Sequence, residues 1–220
     1  MTSVQETRFD FDREARIGLP EAVFCEGKTV VQIDAILDSA VERSAGILLT
    51  RLNPEQNEAL QHRLDYDAIS RTGLFGDYPR PATTANIAIV TAGTADLPVA
   101  REAARTLAFF GLASTEIADV GVAGLWRLLE RVEELRQFPL LICIAGMEGA
   151  LFSVLAGLVP GMVIAVPTSR GYGVARGGET ALHAALTGCA PGVLVTNIDN
   201  GYGAACAARR ILLNAPHLLK

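Results

Sequence analysis

The sequence predicts an α/β fold, a parallel sheet with helices on both faces, preceded by a smaller α/β unit. Three observations predict it. Short runs such as IAIV, LLICIA and VIAV alternate with segments of helical period. Those runs are apolar at every position, as strands buried on both faces must be. Glycine-rich turns follow them, at the edge where open parallel sheets bind ligands.

Composition narrows the function classes. The 220 residues are 50% hydrophobic and 20% charged, enough for a sizeable core. A net charge of −5 argues against general affinity for nucleic acid or an anionic membrane. An anionic substrate is therefore expected to meet local arginine, lysine or backbone amides. Cys25, Cys143, Cys189 and Cys206 form no CxxC pair and no zinc-ligand spacing with His62, His183 or His217. No signal peptide is recognisable in MTSVQETRFDFDREAR, so reduced thiols in a cytoplasm are expected. Residues 149–169 carry no charge, but Pro160-Gly161 divides them into a helix-length and a strand-length piece. A soluble core accounts for that run better than a membrane span.

Taken in order, the first unit reads as a strand in EAVFCEG, a helix in TVVQIDAILDSAVERSA, a strand in GILLTRL and a helix in PEQNEALQHRL. The Gly-, Pro- and Thr-rich stretch RTGLFGDYPRPATT, residues 71–84, reads as a linker, which divides the chain into 1–80 and 81–220. In the second unit strands are expected at 86–90, 115–120, 140–145, 163–166 and 193–198. Helices are expected between and after them, at 97–110, 122–136, 148–158, 179–186 and 203–213. Leu97, Ala100, Ala104, Leu107 and Ala108 share one face of the first helix. Leu125, Leu128, Leu129, Val132 and Leu135 do so in the second. This strand–helix alternation implies parallel pairing through crossover helices.

Several turns carry residues with chemical potential. In GTADLP, Gly93 permits close backbone approach, Thr94 offers a hydroxyl and Asp96 can cap the helix after it. An ordinary capped turn needs the same residues, and neither a GxGxxG fingerprint nor a Walker lysine is present. AGMEGA sets Glu148 at a helix start, either as first-turn charge complement or as a general base. The loop PTSRGYGVARGGET is longer than a strand-to-helix connection requires and carries Arg170 and Arg176, whose guanidinium forks suit phosphate or carboxylate. Cys189 follows a helix end and is a candidate nucleophile, with Cys25 its rival. Cys143 and Cys206 read as small apolar residues. Asp199 in NIDNGYG is a candidate for a metal or a ribose hydroxyl, or simply an Asx turn. Upstream, Asp12, Arg13, Arg16, Glu21, Glu26 and Lys28 gather around turn residues, as a solvated segment or as a clamp on an anion.

DREARIGLPEAVFCEGKT, VTAGTADLPVAREAA, DVGVAGLWRLL, AGMEGALFSVLAGLV, AVPTSRGYG and GCAPGVLVTNIDNGYGAA together resemble the LarB family of pyridinium nucleotide carboxylases, in order and over nearly the whole chain. Through GTADLP and AGMEGA the second half is also similar to PurE-type aminoimidazole ribonucleotide carboxylases and mutases. The resemblance implies a three-layer α/β/α, flavodoxin/Rossmann-like catalytic domain over 81–220, a smaller N-terminal unit adding substrate contacts, and a homo-octamer. It implies carboxylation of nicotinic acid adenine dinucleotide at carbon 5 of the pyridinium ring. Carbon dioxide or bicarbonate supplies the carboxyl group, and hydrolysis of the phosphoanhydride gives pyridinium-3,5-dicarboxylate mononucleotide and AMP for nickel-pincer cofactor synthesis.

By the same resemblance Cys189 adds to the ring and Glu148 removes its proton. Gly93, Thr94, Asp96, Gly146, Met147, Arg16, Lys28, Ser169, Gly171, Tyr172 and Asp199 hold the substrate. Magnesium (Mg2+) is expected for the hydrolytic step, with no ligand assigned. Neither biotin nor ATP is expected, since no biotin-attachment motif or Walker loop occurs. Two positions depart from the family pattern: Trp126, where histidine is expected, and Cys25, where glycine is frequent. The alternatives are a PurE-type mutase on a purine-pathway nucleotide and a non-catalytic nucleotide-binding module.

Overall fold

Strands that are apolar on both faces need a layer of helices on each side, and the second unit supplies two such layers. The computed structural model describes residues 7–218. It divides into two compact units, Met1–Arg80 and Pro81–Lys220. No helix among the described residues is long and apolar enough to cross a membrane.

The first unit runs α1 (Arg13–Ile17), β1 (Ala22–Phe24), α2 (Val30–Arg43), β2 (Ile47–Thr50), α3 (Pro54–Ala59), β3 (Asp65–Asp67) and β4 (Thr72–Phe75). Its sheet has the order β1-β2-β4-β3, with β1 parallel to β2 and the other pairs antiparallel. Thr29 and Gln32 form a capping box on α2, as Asn53 and Gln56 do on α3 behind Pro54. The Gln56 side-chain amide also donates to the carbonyls of Cys25 (3.1 Å) and Lys28 (2.8 Å), which holds the FCEGK turn. Val23, Ile33, Leu37, Ile47 and Leu49 form the centre of this unit's own core.

The expected linker at 71–84 is corrected: its first part is β4, with Thr72 and Leu74 buried, and β3 pairs beside it. Gly73 weakens the strand signal in the sequence. In the fold a Cβ there would lie 2.8 Å from Leu64 Cδ1, so the glycine answers to close packing.

The second unit runs β5 (Ile87–Thr91), α4 (Leu97–Phe109), β6 (Ser114–Ile117), α5 (Leu125–Leu129), α6 (Val132–Leu135), β7 (Leu140–Ala145), α7 (Ala150–Ala156), β8 (Met162–Pro167), α8 (Glu179–Thr187), β9 (Leu194–Val195) and α9 (Gly201–Asn214). All five strands are parallel in the order β6-β5-β7-β8-β9. Ala88, Val90, Leu141, Cys143 and Val163 face one helix layer, which contributes Leu128, Leu135, Phe152 and Ala181. Ile87, Ile89, Ile142, Ile144 and Ile164 face the other, built by α4 and α9. This is the three-layer α/β/α arrangement.

Three helical expectations change in detail. The helix expected at 122–136 is a 3-10 turn followed by α5 and α6, which separate at Arg131 (φ −107°, ψ 0°). Leu125 and Leu129 of the expected apolar face stay exposed, while Leu128, Val132 and Leu135 are buried. In α4 the buried face is rotated from the expected one and includes Glu102 and Thr106. The cause is α9: the Glu102 carboxylate accepts the N–H of Gly201 (3.0 Å) and of Tyr202 (3.4 Å) at its start.

Phe152, 1% exposed, lies under the turn that begins α7. Phe152→Ala is expected to lower stability by roughly 3–5 kcal/mol, read as a lower urea midpoint with unchanged far-ultraviolet circular dichroism.

Candidate active site

The strand order reverses between β5 and β7, and open parallel sheets bind ligands beyond such a point. A cleft of about 530 Å³ lies there, between the turns that follow β5, β6, β7 and β8. Most of its lining is alanine, glycine and other apolar side chains. The charged residues in its wall are Asp96, Arg127, Glu148 and Arg170. Among the described residues, no histidine lines it.

Asp96 ties two of these turns together. Its carboxylate accepts the Gly93 N–H (3.0 Å) on one oxygen and the Thr168 hydroxyl (2.7 Å) on the other. The expected cap on α4 is therefore corrected: Asp96 occupies the cap position, but its side chain turns back and makes no cap hydrogen bond. Burial pushes the Asp96 carboxyl above its ordinary value of 3.8, against the downward pull of the bonds from Thr168 and Gly93.

The turn after β7 is held by backbone alone. Met147 donates its N–H to the Arg170 carbonyl (2.9 Å), and Gly149 donates to Gly146 (2.9 Å). Any side chain at Gly146 would fall on the Arg170 carbonyl, 2.0 Å from the position of its Cβ. Met147 (φ 54°) and Gly149 (φ 64°) are both left-handed, and Glu148 sits between them, exposed to the cleft. Among the described residues Glu148 has no ion-pair or hydrogen-bond partner. A carboxylate so placed can accept a proton from a bound molecule without first leaving another partner.

Arg127 is the site residue that the sequence reading missed. It pairs with Asp119 (2.5 Å), and Asp119, itself left-handed, donates its N–H to Thr91 Oγ1 at 3.3 Å. Gly124 makes room for the guanidinium, since a Cβ there would meet Arg127 Nε at 2.8 Å. The signal in the sequence was Asp119 upstream of Arg127 across glycines, but only the broken helix brings the two together. A guanidinium fixed in this way offers its remaining N–H groups to an anion. Tyr172, 80% exposed between Gly171 and Gly173, stands at the cleft mouth.

Of the residues expected to bind substrate, Gly93, Asp96, Gly146, Met147, Gly171 and Tyr172 line the cleft, as does Glu148. Thr94 is exposed beside it. Ser169 and Asp199 act on each other: the Ser169 N–H donates to Asp199 Oδ1 at 2.9 Å, which braces the loop after β8. In the first unit Arg16 is held bidentate by Asp10 (2.5 and 3.0 Å), and the Arg16 hydrogen bonds hold the Asp10 carboxyl below its ordinary value. Lys28 is half-buried in the FCEGK turn. Cys25 is corrected as a rival nucleophile: it is fully buried, and burial pushes its thiol up to about 12. Cys189 is exposed beyond the end of α8 and is not a cleft residue in this chain.

Residues 1–76 match the LarB/PurE-like N-terminal domain, and residues 86–220 match the AIR carboxylase domain. An uncharacterized protein of Methanocaldococcus jannaschii is 35% identical over 217 residues, spanning 93% of this chain and 83% of that protein. The chain belongs to the LarB family. A serine-to-aspartate variant of PurE2 from Treponema denticola shares the fold, with a TM-score of 0.50 and 22% identity over 60% of this chain and 82% of that one. Treponema denticola PurE gives a TM-score of 0.47 at 23% identity over the same shares. Membership of the LarB family, with its AIR carboxylase domain, makes the chain a carboxylase- or mutase-type nucleotide enzyme.

The described cleft residues bring too few carboxylates together to form a magnesium cage by themselves. No group of three His, Cys, Asp or Glu able to hold a metal occurs among the described residues. Of the cleft carboxylates Asp96 has both oxygens engaged, which leaves Glu148. Trp126, at the departure from the family pattern, is 62% exposed on α5 next to Arg127.

A raised pKa means that the folded chain holds the Asp96 proton more tightly than the unfolded chain does. Stability therefore falls as pH rises from 3.8 through the folded-state value. Asp96→Asn removes that slope. Urea midpoints from about pH 4 to about pH 7 are expected to decline for the native chain relative to the variant, and parallel curves would count against it.

Proposed function

We propose that this enzyme carboxylates the pyridinium ring of nicotinic acid adenine dinucleotide at carbon 5 and cleaves its phosphoanhydride with water, releasing pyridinium-3,5-dicarboxylate mononucleotide and AMP. The observation that carries this reading is Glu148, a carboxylate without a partner among the described residues, exposed to a mostly apolar cleft at the switch point of a LarB-family domain.

A pyridinium ring is electron-poor and does not attack carbon dioxide. Addition of the Cys189 thiolate at carbon 6 forms a C–S bond and moves an electron pair onto the ring, giving a neutral enamine nucleophilic at carbon 5. Carbon 5 then bonds to the carbon of CO2, whose C–O π electrons pass to oxygen, and the ring becomes an iminium. Glu148 takes the proton from carbon 5. The electron pair left behind restores the double bond, the C–S bond breaks, and the thiolate leaves an aromatic product. The C–S bond that forms is the one that breaks, and carbon 5 exchanges a proton for CO2, so sulfur returns as thiolate and no redox partner is needed.

The apolar lining suits an uncharged co-substrate, and Arg127 and Arg170 offer charge to the phosphates and carboxylate of the nucleotide. No histidine is among the described cleft residues, and Glu148 is the carboxylate there without a partner, which supports it as the group that takes the proton. Magnesium, where required for the hydrolytic step, would arrive on the substrate's phosphates rather than in a protein cage.

Incubation with nicotinic acid adenine dinucleotide, bicarbonate and magnesium is expected to yield AMP and a carboxylated mononucleotide by mass spectrometry. Unchanged dinucleotide beside a competent positive control would refute the reading. Glu148→Gln is expected to lower kcat by about 10²–10⁴-fold and to leave a substrate adduct on the Cys189 peptide, visible as added mass. A variant with native kcat and no adduct would remove Glu148 from the mechanism.

A further inference from the structure

Two arginines line the cleft, and their charges are not equivalent. Arg127 Nη1 donates to Asp119 Oδ2, so a carboxylate balances its charge before any ligand arrives. Arg170 has no ion-pair partner among the described residues, and its charge opposes the effect of burial on the Asp96 carboxyl. A diphosphate drawn to Arg127 would be repelled by Asp119, so it gains more from Arg170. A single carboxylate needs direction more than net charge. A tethered, planar guanidinium supplies direction through its remaining N–H groups.

Position points the same way. Asp119 donates its N–H to Thr91, the last residue of β5, and Thr91 pairs with Ile144 of β7. The tether is thus anchored one strand spacing, about 4.8 Å, from the strand that leads into Glu148. Around Arg127 the cleft is lined by Ala92, Gly121, Val122 and Ala123. A Cβ on Gly121 would stand 2.7 Å from the Ala92 carbonyl oxygen, so the two turns close to a slot that suits a flat group. In a pyridinium ring the nitrogen, carbon 3 and carbon 5 occupy alternate corners. With carbon 5 at Glu148, the carboxylate on carbon 3 and the phosphate-bearing ribose leave in different directions.

We infer that Arg127 reads the carboxylate on carbon 3 and so selects the nicotinic acid dinucleotide over the nicotinamide one, with Asp119 as the residue that positions it. The placement of carbon 5 rests on the carboxylation reading above. An amide presents one neutral oxygen to the fork, where a carboxylate presents two that share a charge. That difference corresponds to about 10–100-fold in affinity.

The two dinucleotides differ only at this group, so calorimetric titration with each, without bicarbonate or magnesium, tests the inference. The native chain is expected to prefer the acid by about 10–100-fold, and Arg127→Met to lose most of that preference. Asp119→Asn is a substitution that the left-handed backbone (φ 59°) tolerates. It makes the site more positive, so net charge alone would tighten the acid, whereas lost positioning weakens it. Gly124→Ala keeps both charges, but its Cβ would meet Arg127 Nε at 2.8 Å and Nη2 at 3.0 Å. The displaced fork is expected to lose the preference too. Equal losses for both dinucleotides in Arg127→Met, tighter acid binding in Asp119→Asn, or no preference in the native chain each overturn the inference. Carboxylated mononucleotide formed without any acid preference overturns it and leaves the carboxylation reading standing. A preference that depends on Arg127, with no carboxylated product, supports it and refutes that reading alone.

Discussion

Asp96 has one carboxylate oxygen on the backbone of the turn after β5 and the other on the hydroxyl of Thr168, the residue after β8. The strands that end in those turns are not neighbours, since β7 lies between them. The link therefore spans the end of the central strand and fixes the width of the opening above it. From Thr168 the loop continues to Arg170, whose carbonyl takes the Met147 N–H and so sets the turn that carries Glu148. Asp199 holds the same loop from the other side through Ser169. The position of Glu148 thus depends on a buried carboxylate that is itself outside the proposed chemistry. Burying that group raises its pKa, and the hydrogen bonds to it offset part of the cost.

The layers were legible in the sequence because two-sided burial leaves strands apolar at every position. The five parallel strands and the helices between them follow from that constraint. What the sequence concealed depends on partners distant in the chain. Glu102 reads as a solvent-facing charge until α9 presents two amides to it. Arg127 reads as one more residue of a continuous helix, and only the separation of α5 from α6 shows it as a wall of the cleft. Gly73 looked like linker because glycine marks turns far more often than it marks crowding inside a strand. Of the candidate site, the turns of Gly93 and Glu148 could be read because glycine and a carboxylate after a strand are local signals. The distance of Cys189 from them could not, since it is set by the direction of a helix.

The cleft is mostly apolar with a few fixed charges, a pattern suited to a flat aromatic cation with anionic appendages. The arginines have different constraints. Arg127 is tethered by Asp119, whereas Arg170 takes part in the turn through its backbone carbonyl. The cysteines divide just as sharply. Cys25 and Cys143 are sealed in separate cores where burial disfavours the thiolate, and Cys189 is open to solvent.

The turns after β6, β7 and β9 each contain a left-handed residue other than glycine, namely Asp119, Met147 and Asp199, and the loop after β8 contains Arg176. Each such residue costs roughly 1–2 kcal/mol against a relaxed backbone. The opposite edge of the sheet carries no comparable series among the described residues of this unit. Strain is thus concentrated on the rim that shapes the cleft, and glycine at these positions would relax it most readily. The same change would loosen the backbone that aims Arg127 and Glu148. Efforts to raise the heat tolerance of this enzyme would then find their easiest gains where turnover has most to lose, a stability–activity trade-off located along one edge of one sheet.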